Sequence, residues 1–214
     1  MTDCLLAFLP DPVICLGQKL EPYSLAHEMA LRRHGSRFLD AGENPGGGGW
    51  ATELYLAVYL CCHRWPELQD ELARPDFTQR IADWRKQFGE TEADPIADEF
   101  SRFMAYLKAG HECPDYEVMP ILGRSLVTPG APMPVVLLQA LCGELHLSMD
   151  EAMNLPLPAA HWMYLGRLER NGRIRISSNL SASLHSALAK KAAEFGMVLQ
   201  RYDAEPDHPP APPH

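Results

Sequence analysis

Ser148-Met-Asp-Glu-Ala-Met-Asn-Leu-Pro-Leu-Pro-Ala-Ala-His-Trp-Met-Tyr-Leu-Gly-Arg-Leu-Glu-Arg-Asn-Gly172 reads as two helices broken by proline, and it sets the fold class of the chain. Ser148 and Glu151 have capping-box spacing, in which each side chain satisfies a backbone N–H at a helix start. Pro156 and Pro158 end that first helix, because proline lacks the N–H a helix interior needs and pushes the preceding residue toward extended geometry. The second helix then carries Ala159, Trp162, Leu165 and Leu168 along one stripe and stops at Gly172.

The same grammar recurs outward from this segment. Ser24 caps a helix carrying Leu25 and Met29, with Gly35 near its end. Residues 52–62 are apolar on nearly every side and predict a buried helix. Phe77, Ile81, Trp84 and Phe88 form a helical stripe before Gly89; Ile96, Phe100, Phe103 and Leu107 form another, capped by Asp94 and closed by Gly110. Residues 134–147 make a further apolar helix, and Leu180, Leu184, Leu188, Ala192 and Phe195 mark a last one before Gly196.

The expected architecture is therefore mainly α: one helical, bundle-like domain over residues 1–202, with a sub-boundary near 111–133 and six to eight helices. At most one short two-stranded element is expected, pairing residues near Val13 and Ile174. Asp40 to Gly49 reads as a loop, and residues 203–214, dominated by Pro, Asp, Glu and His, as a disordered tail. Leu16-Gly17-Gln18-Lys19-Leu20 is echoed at Leu122-Gly123-Arg124-Ser125-Leu126, a match short enough to arise by chance.

Composition excludes several functions. The 214 residues are 46% hydrophobic and 22% charged, ordinary for a soluble globular protein. A formal net charge of -9 repels phosphate backbones, which argues against a nucleic-acid partner. No apolar run approaches the roughly 20 residues of a membrane span. Asp3 stands where a secretory signal would carry positive charge, so no such signal is expected, whereas a cytoplasmic location and reduced thiols for the six cysteines are.

Few residue patterns point to chemistry. His27-Glu28 resembles the opening of a zinc-protease helix, but the next histidine is His34, seven residues on instead of four. Cys61-Cys62-His63 and His111-Glu112-Cys113 hold soft ligands, yet adjacent cysteines rarely point at one ion, and the plainer reading makes Cys61 and Cys62 small residues ending a buried helix. Gly46 to Gly49 lacks the lysine and hydroxyl of a phosphate-binding loop. No catalytic residue, metal ligand or cofactor is expected. The competing reading is a cytosolic metal-binding protein or enzyme built on the Cys/His residues.

The Ser-x-x-Glu-Ala-Met-x-x-Pro-Leu pattern of residues 148–157, followed by an Ala-rich, Trp/Tyr-bearing helix ending in Glu169-x-x-Gly172, resembles segments of tailed-phage tail assembly chaperones. Leu16 to Leu20, leading through Pro22 into Ser24-Leu25-Ala26-His27, is a weaker echo that resembles the opening of phage-encoded proteins from similar gene neighbourhoods. The resemblance implies a small, helical, non-catalytic protein that keeps the apolar helices of a tape-measure protein soluble until the tail polymerises, in the cytoplasm of a bacterial host. It leaves open a homo-oligomer, and the alternative of a structural tail or connector protein. Helix-in-groove contact would form on the face near residues 155–168, with Leu155, Leu157, Trp162, Tyr164, Leu165 and Leu168 as contact residues. The large N-terminal half lies outside the resemblance.

Overall fold

The computed structural model describes residues 7–39, 49–87, 93–119 and 130–176, with the side chains of 93–95 excepted. These residues belong to one compact unit spanning Thr2–Ile176. It is mainly α, as expected, with eight α-helices and two small antiparallel sheets among the described residues. The expected last helix near 180–196, the repeat at 122–126, Phe88 and the tail lie outside them.

The chain enters through β1 (Val13–Cys15) and β2 (Gln18–Leu20), a hairpin whose two-residue turn holds Leu16 at φ 49° and Gly17 at φ 67°. Both positive angles match the right-handed twist of paired strands; glycine accepts the conformation freely and leucine does not. Leu16 is held there by its N–H, which donates to Glu99 Oε2 at 2.6 Å. Helix α1 (Leu25–Arg33) follows, and its cap uses an imidazole where glutamate is usual, with the Ser24 N–H donating to His27 Nδ1 at 3.2 Å.

Helix α2 (Trp50–Cys61) crosses the centre of the core and buries Leu54, Tyr55, Ala57, Val58, Tyr59, Leu60 and Cys61, as its all-round apolar pattern predicts. A short α3 (Glu67–Ala73) then precedes α4 (Phe77–Lys86) and the long α5 (Ala93–Gly110). After α5 come β3 (Tyr116–Val118), α6 (Met133–Gln139), a π-helical turn over Ala140–Glu144, α7 (Met149–Asn154), α8 (Leu157–Arg170) and β4 (Ile174–Ile176).

The expected pairing of Val13 with Ile174 is wrong. Val13 pairs with Leu20 within the first hairpin, and Ile174 pairs with Val118. The tight turn at Leu16-Gly17 supplies a local partner at once, so nothing is left for the distant strand to pair with on that side. The single expected β element is thus two.

The segment from Ser148 to Gly172 folds as its sequence dictates. Glu151 N–H donates to Ser148 Oγ at 3.2 Å, and Ser148 N–H to Glu151 Oε2 at 2.8 Å, which closes the capping box. The proline break is also a joint between distant parts of the chain: Ser24 and Pro156 form an isolated β-bridge, and Leu157 N–H donates to Tyr23 O at 2.7 Å. Asn154 acts like a peptide group toward Trp65, accepting from its N–H at 3.0 Å and donating to its carbonyl at 2.7 Å. Those bonds tie the corner after α2 to the end of α7.

Candidate functional site

The residues expected to contact a partner near α8 are largely committed to the protein's own interior. Leu157 and Leu165 are buried core residues. Leu155 and Tyr164 are half-buried and pack against the core, and Trp162 and Leu168 are half-buried. With Leu157 and Leu165 covered, the face does not form an open apolar groove. The indole N–H of Trp162 and Nδ1 of His161 are buried without a hydrogen-bond partner among the described residues.

A polar cluster lies where α1, α5 and the Tyr23 segment meet. Glu28 is only 3% exposed, yet it accepts from Tyr23 Oη at 2.5 Å and from His111 Nε2 at 2.9 Å on one oxygen, and from Arg32 Nε at 2.6 Å on the other. Burial alone would raise its pKa, but the hydrogen bonds from His111 and Tyr23 and the nearby cations hold it down at about 2. His111 Nδ1 also lies 2.8 Å from Leu107 O, so both ring nitrogens face acceptors, an arrangement that favours the imidazolium. The bond to Glu28 accordingly raises its pKa.

His27 is the opposite case. Its Nδ1 accepts from Ser24 and its Nε2 donates to the carbonyl of His63 at 2.9 Å, so it is a neutral ring, and complete burial lowers its pKa to about 4. His63 in turn donates from Nδ1 to Tyr59 O at 2.8 Å. Every one of these groups is absorbed by a structural partner, and the cluster welds elements together.

The Cys/His residues do not converge. Among the described residues no group of three or more His, Cys, Asp or Glu is placed to hold a metal ion. Cys61 is fully buried and Cys62 partly so; burial pushes both thiols up, Cys62 to about 11, which keeps them protonated and poor nucleophiles. His34, the distant histidine of the failed zinc motif, is exposed and lies tilted against Phe77 at 5.5 Å between ring centroids.

Among the described residues one open feature is a groove of about 1050 Å³ between α2 and α4, bounded also by the end of α1 and the start of α5. Its floor is Tyr55, Leu56, Phe77, Ile81 and Ile96, and its rim carries His34, Glu53, Arg85 and Lys86. No family model, curated protein or solved structure matches the chain. The groove must therefore be judged on its own geometry.

That geometry follows from α4. The helix has a clear apolar stripe, yet it buries none of its residues: Phe77, Ile81 and Trp84 are only half-covered. Trp84 leans edge-on against Tyr59 at 5.5 Å and Tyr55 at 6.1 Å, which fastens the helix to α2 along one side. The Arg80 and Tyr59 side chains meet on Glu71, at 3.0 and 2.7 Å, and anchor its first half. The other side of the stripe faces the groove. The sequence displayed the stripe itself, but not that its neighbours leave it open.

Proposed function

We propose that this protein is a non-enzymatic assembly chaperone that holds an apolar helix of a partner, such as the tape-measure protein of a phage tail, in the α2–α4 groove until assembly. The observation that carries the reading is the half-covered stripe of α4, because an amphipathic helix with an unfilled apolar side is the surface that helix-in-groove recognition requires. At about 1.5 Å per residue, the ten residues of α4 offer a wall about 15 Å long, enough for about three turns of a partner helix.

Two further features support it. The segment that carries the chaperone resemblance, 148–172, and the weaker phage-like echo at 16–27 are neighbours in the fold, joined at the Ser24–Pro156 bridge. Burial keeps the Cys61 and Cys62 thiols protonated, and structural hydrogen bonds occupy the His27 and His111 rings. The contact site moves from the face near residues 155–168 to the groove, since Leu157 and Leu165 are core residues.

Co-expression of the full chain with the long apolar helical protein encoded beside it, followed by affinity purification, tests the proposal. The partner should become soluble and co-purify, and Ile81→Asp should abolish that rescue while leaving the far-UV circular dichroism unchanged. A partner that stays insoluble with the unmodified chain, or that co-purifies equally with Ile81→Asp, overturns it.

A further inference from the structure

Resting on that helix-binding reading, we propose that the helix the groove accepts is flanked by carboxylates. Seven of the twelve arginines among the described residues have an acidic partner: Arg32 with Glu28, Arg37 with Glu53, Arg64 with Glu21, Arg74 with Asp76, Arg80 with Glu71, Arg102 with Glu99 and Arg167 with Glu144. Arg85, on the groove rim, has no carboxylate partner among the described residues. Its Nη1 donates to Thr52 Oγ1 at 2.9 Å and its guanidinium lies 5.5 Å from the centre of the Tyr55 ring.

Those contacts fix the fork in place and leave donors without an acceptor among the described residues, which is the preorganised arrangement that favours bidentate carboxylate recognition. The other rim charges are paired and do not oppose it. Glu53 is taken up by Arg37 at 2.8 Å, and Lys86, although 2.8 Å from Asp83 on its own helix, stays 73% exposed. Among the described residues the rim thus carries one uncompensated cation, Arg85, on a chain of net charge -9. That contrast is what makes the proposal discriminating, because the whole-molecule field alone favours a basic partner.

The test is fluorescence anisotropy with labelled synthetic helical peptides that share one Leu/Phe stripe and differ only in flanking Glu or Lys, titrated into the full chain at low and high salt. Expected is binding of the Glu-flanked peptide about tenfold or more tighter than the Lys-flanked one, equivalent to about 1.4 kcal/mol. Arg85→Glu should remove or reverse that preference, and added salt should narrow it. Ile81→Asp should abolish binding of both.

Equal affinities, or a Lys preference, with Ile81→Asp still abolishing binding, would overturn the carboxylate proposal and leave helix binding standing. Absence of binding by either peptide would sink the helix-binding reading itself. Sedimentation of the unliganded chain covers the other occupant: a dimer that Ile81→Asp dissociates would show that a second copy fills the groove, and would overturn the proposal.

Discussion

Helices α8 and α4 look alike in sequence and differ in fate. Each has an aromatic residue in an apolar stripe, Trp162 among Ala159, Leu165 and Leu168 in one and Trp84 beside Phe77 and Ile81 in the other. In α8 five residues are buried, including Ala159, Ala160 and Leu165, and the helix start is pinned to Tyr23 through the backbone. In α4 none is buried. An amphipathic pattern therefore says that a stripe must be covered, and the fold decides whether the protein covers it itself or leaves it for something else.

The contrast predicts the largest effect on stability. Leu165→Ala removes side-chain atoms from a closed core and should cost about 2–5 kcal/mol, since the cavity is added to the lost transfer energy. Ile81→Ala in the half-open groove should cost about 1 kcal/mol, because its side chain is only partly withdrawn from water. Urea unfolding of the two variants checks the pair. Equal losses would mean that the groove is a closed part of the core.

A second prediction probes the joint that holds α8. A methyl group on Gly110 would meet Tyr23 Cδ1 at 2.4 Å and Tyr23 Cβ at 2.7 Å, so the body of the tyrosine, and not a flexible tip, would have to move. Gly110→Ala should therefore destabilise by about 1–3 kcal/mol despite alanine's better helix propensity. Because the Tyr23 carbonyl accepts from Leu157, hydrogen exchange should quicken at the start of α8 and stay unchanged in α4.

How much of this was legible follows from how local each cause is. The α7–α8 unit could be read because a capping box and a proline break act within a few residues. Gly110 could be placed at the end of α5, but its meaning differs from a helix stop: it is the last helical residue, and its missing side chain makes room for Tyr23. Helix α3 escaped notice because it is seven residues long and buries only Leu68, too little for a periodic signal. Strand pairing failed for a like reason, since three-residue strands pair with whatever the helices bring near. Glu28 drew attention only inside a rejected zinc motif; the available signal was Arg32 four residues on, which shares its helix face. The open groove had no sequence signal, because coverage depends on other elements.

Titration should separate the two regions next. His27 ionises at about 4 when folded against 6.5 ordinarily, so the unfolded chain binds its proton first and stability falls as pH drops from 6.5 to about 4. Glu28, held at about 2 against 4.5, contributes stability above 4.5 that is lost as pH falls toward 2. His111 is raised, so its contribution is complete below 6.5 and lost as pH rises through its folded value. Stability should peak near pH 6.5 and fall on both sides. His27→Gln should flatten the limb between 6.5 and about 4 and keep the one below it. In the groove, burial and Arg33 lower the pKa of His34, which is exposed, so its acid effect has the same sign and less weight. A Gln variant with an unchanged acid limb would show that His27 is not the neutral buried ring that joins α1 to the end of α2.

The smallest expected effect on folding is at Arg85. Its partners are an exposed threonine hydroxyl and the face of Tyr55, so Arg85→Ala should change stability by no more than about 0.5 kcal/mol. Its effect on binding of a carboxylate-flanked helix should be much larger, because a positioned guanidinium meets its acid only in the complex. Tyr55 remains fixed by Trp84 without it, so the groove floor persists and the two readouts separate. If instead Arg85→Ala costs as much stability as Leu165→Ala, the guanidinium is a strut of the α2–α4 packing. The contrast between a helix that closes the core and one that faces outward would then no longer hold at the rim.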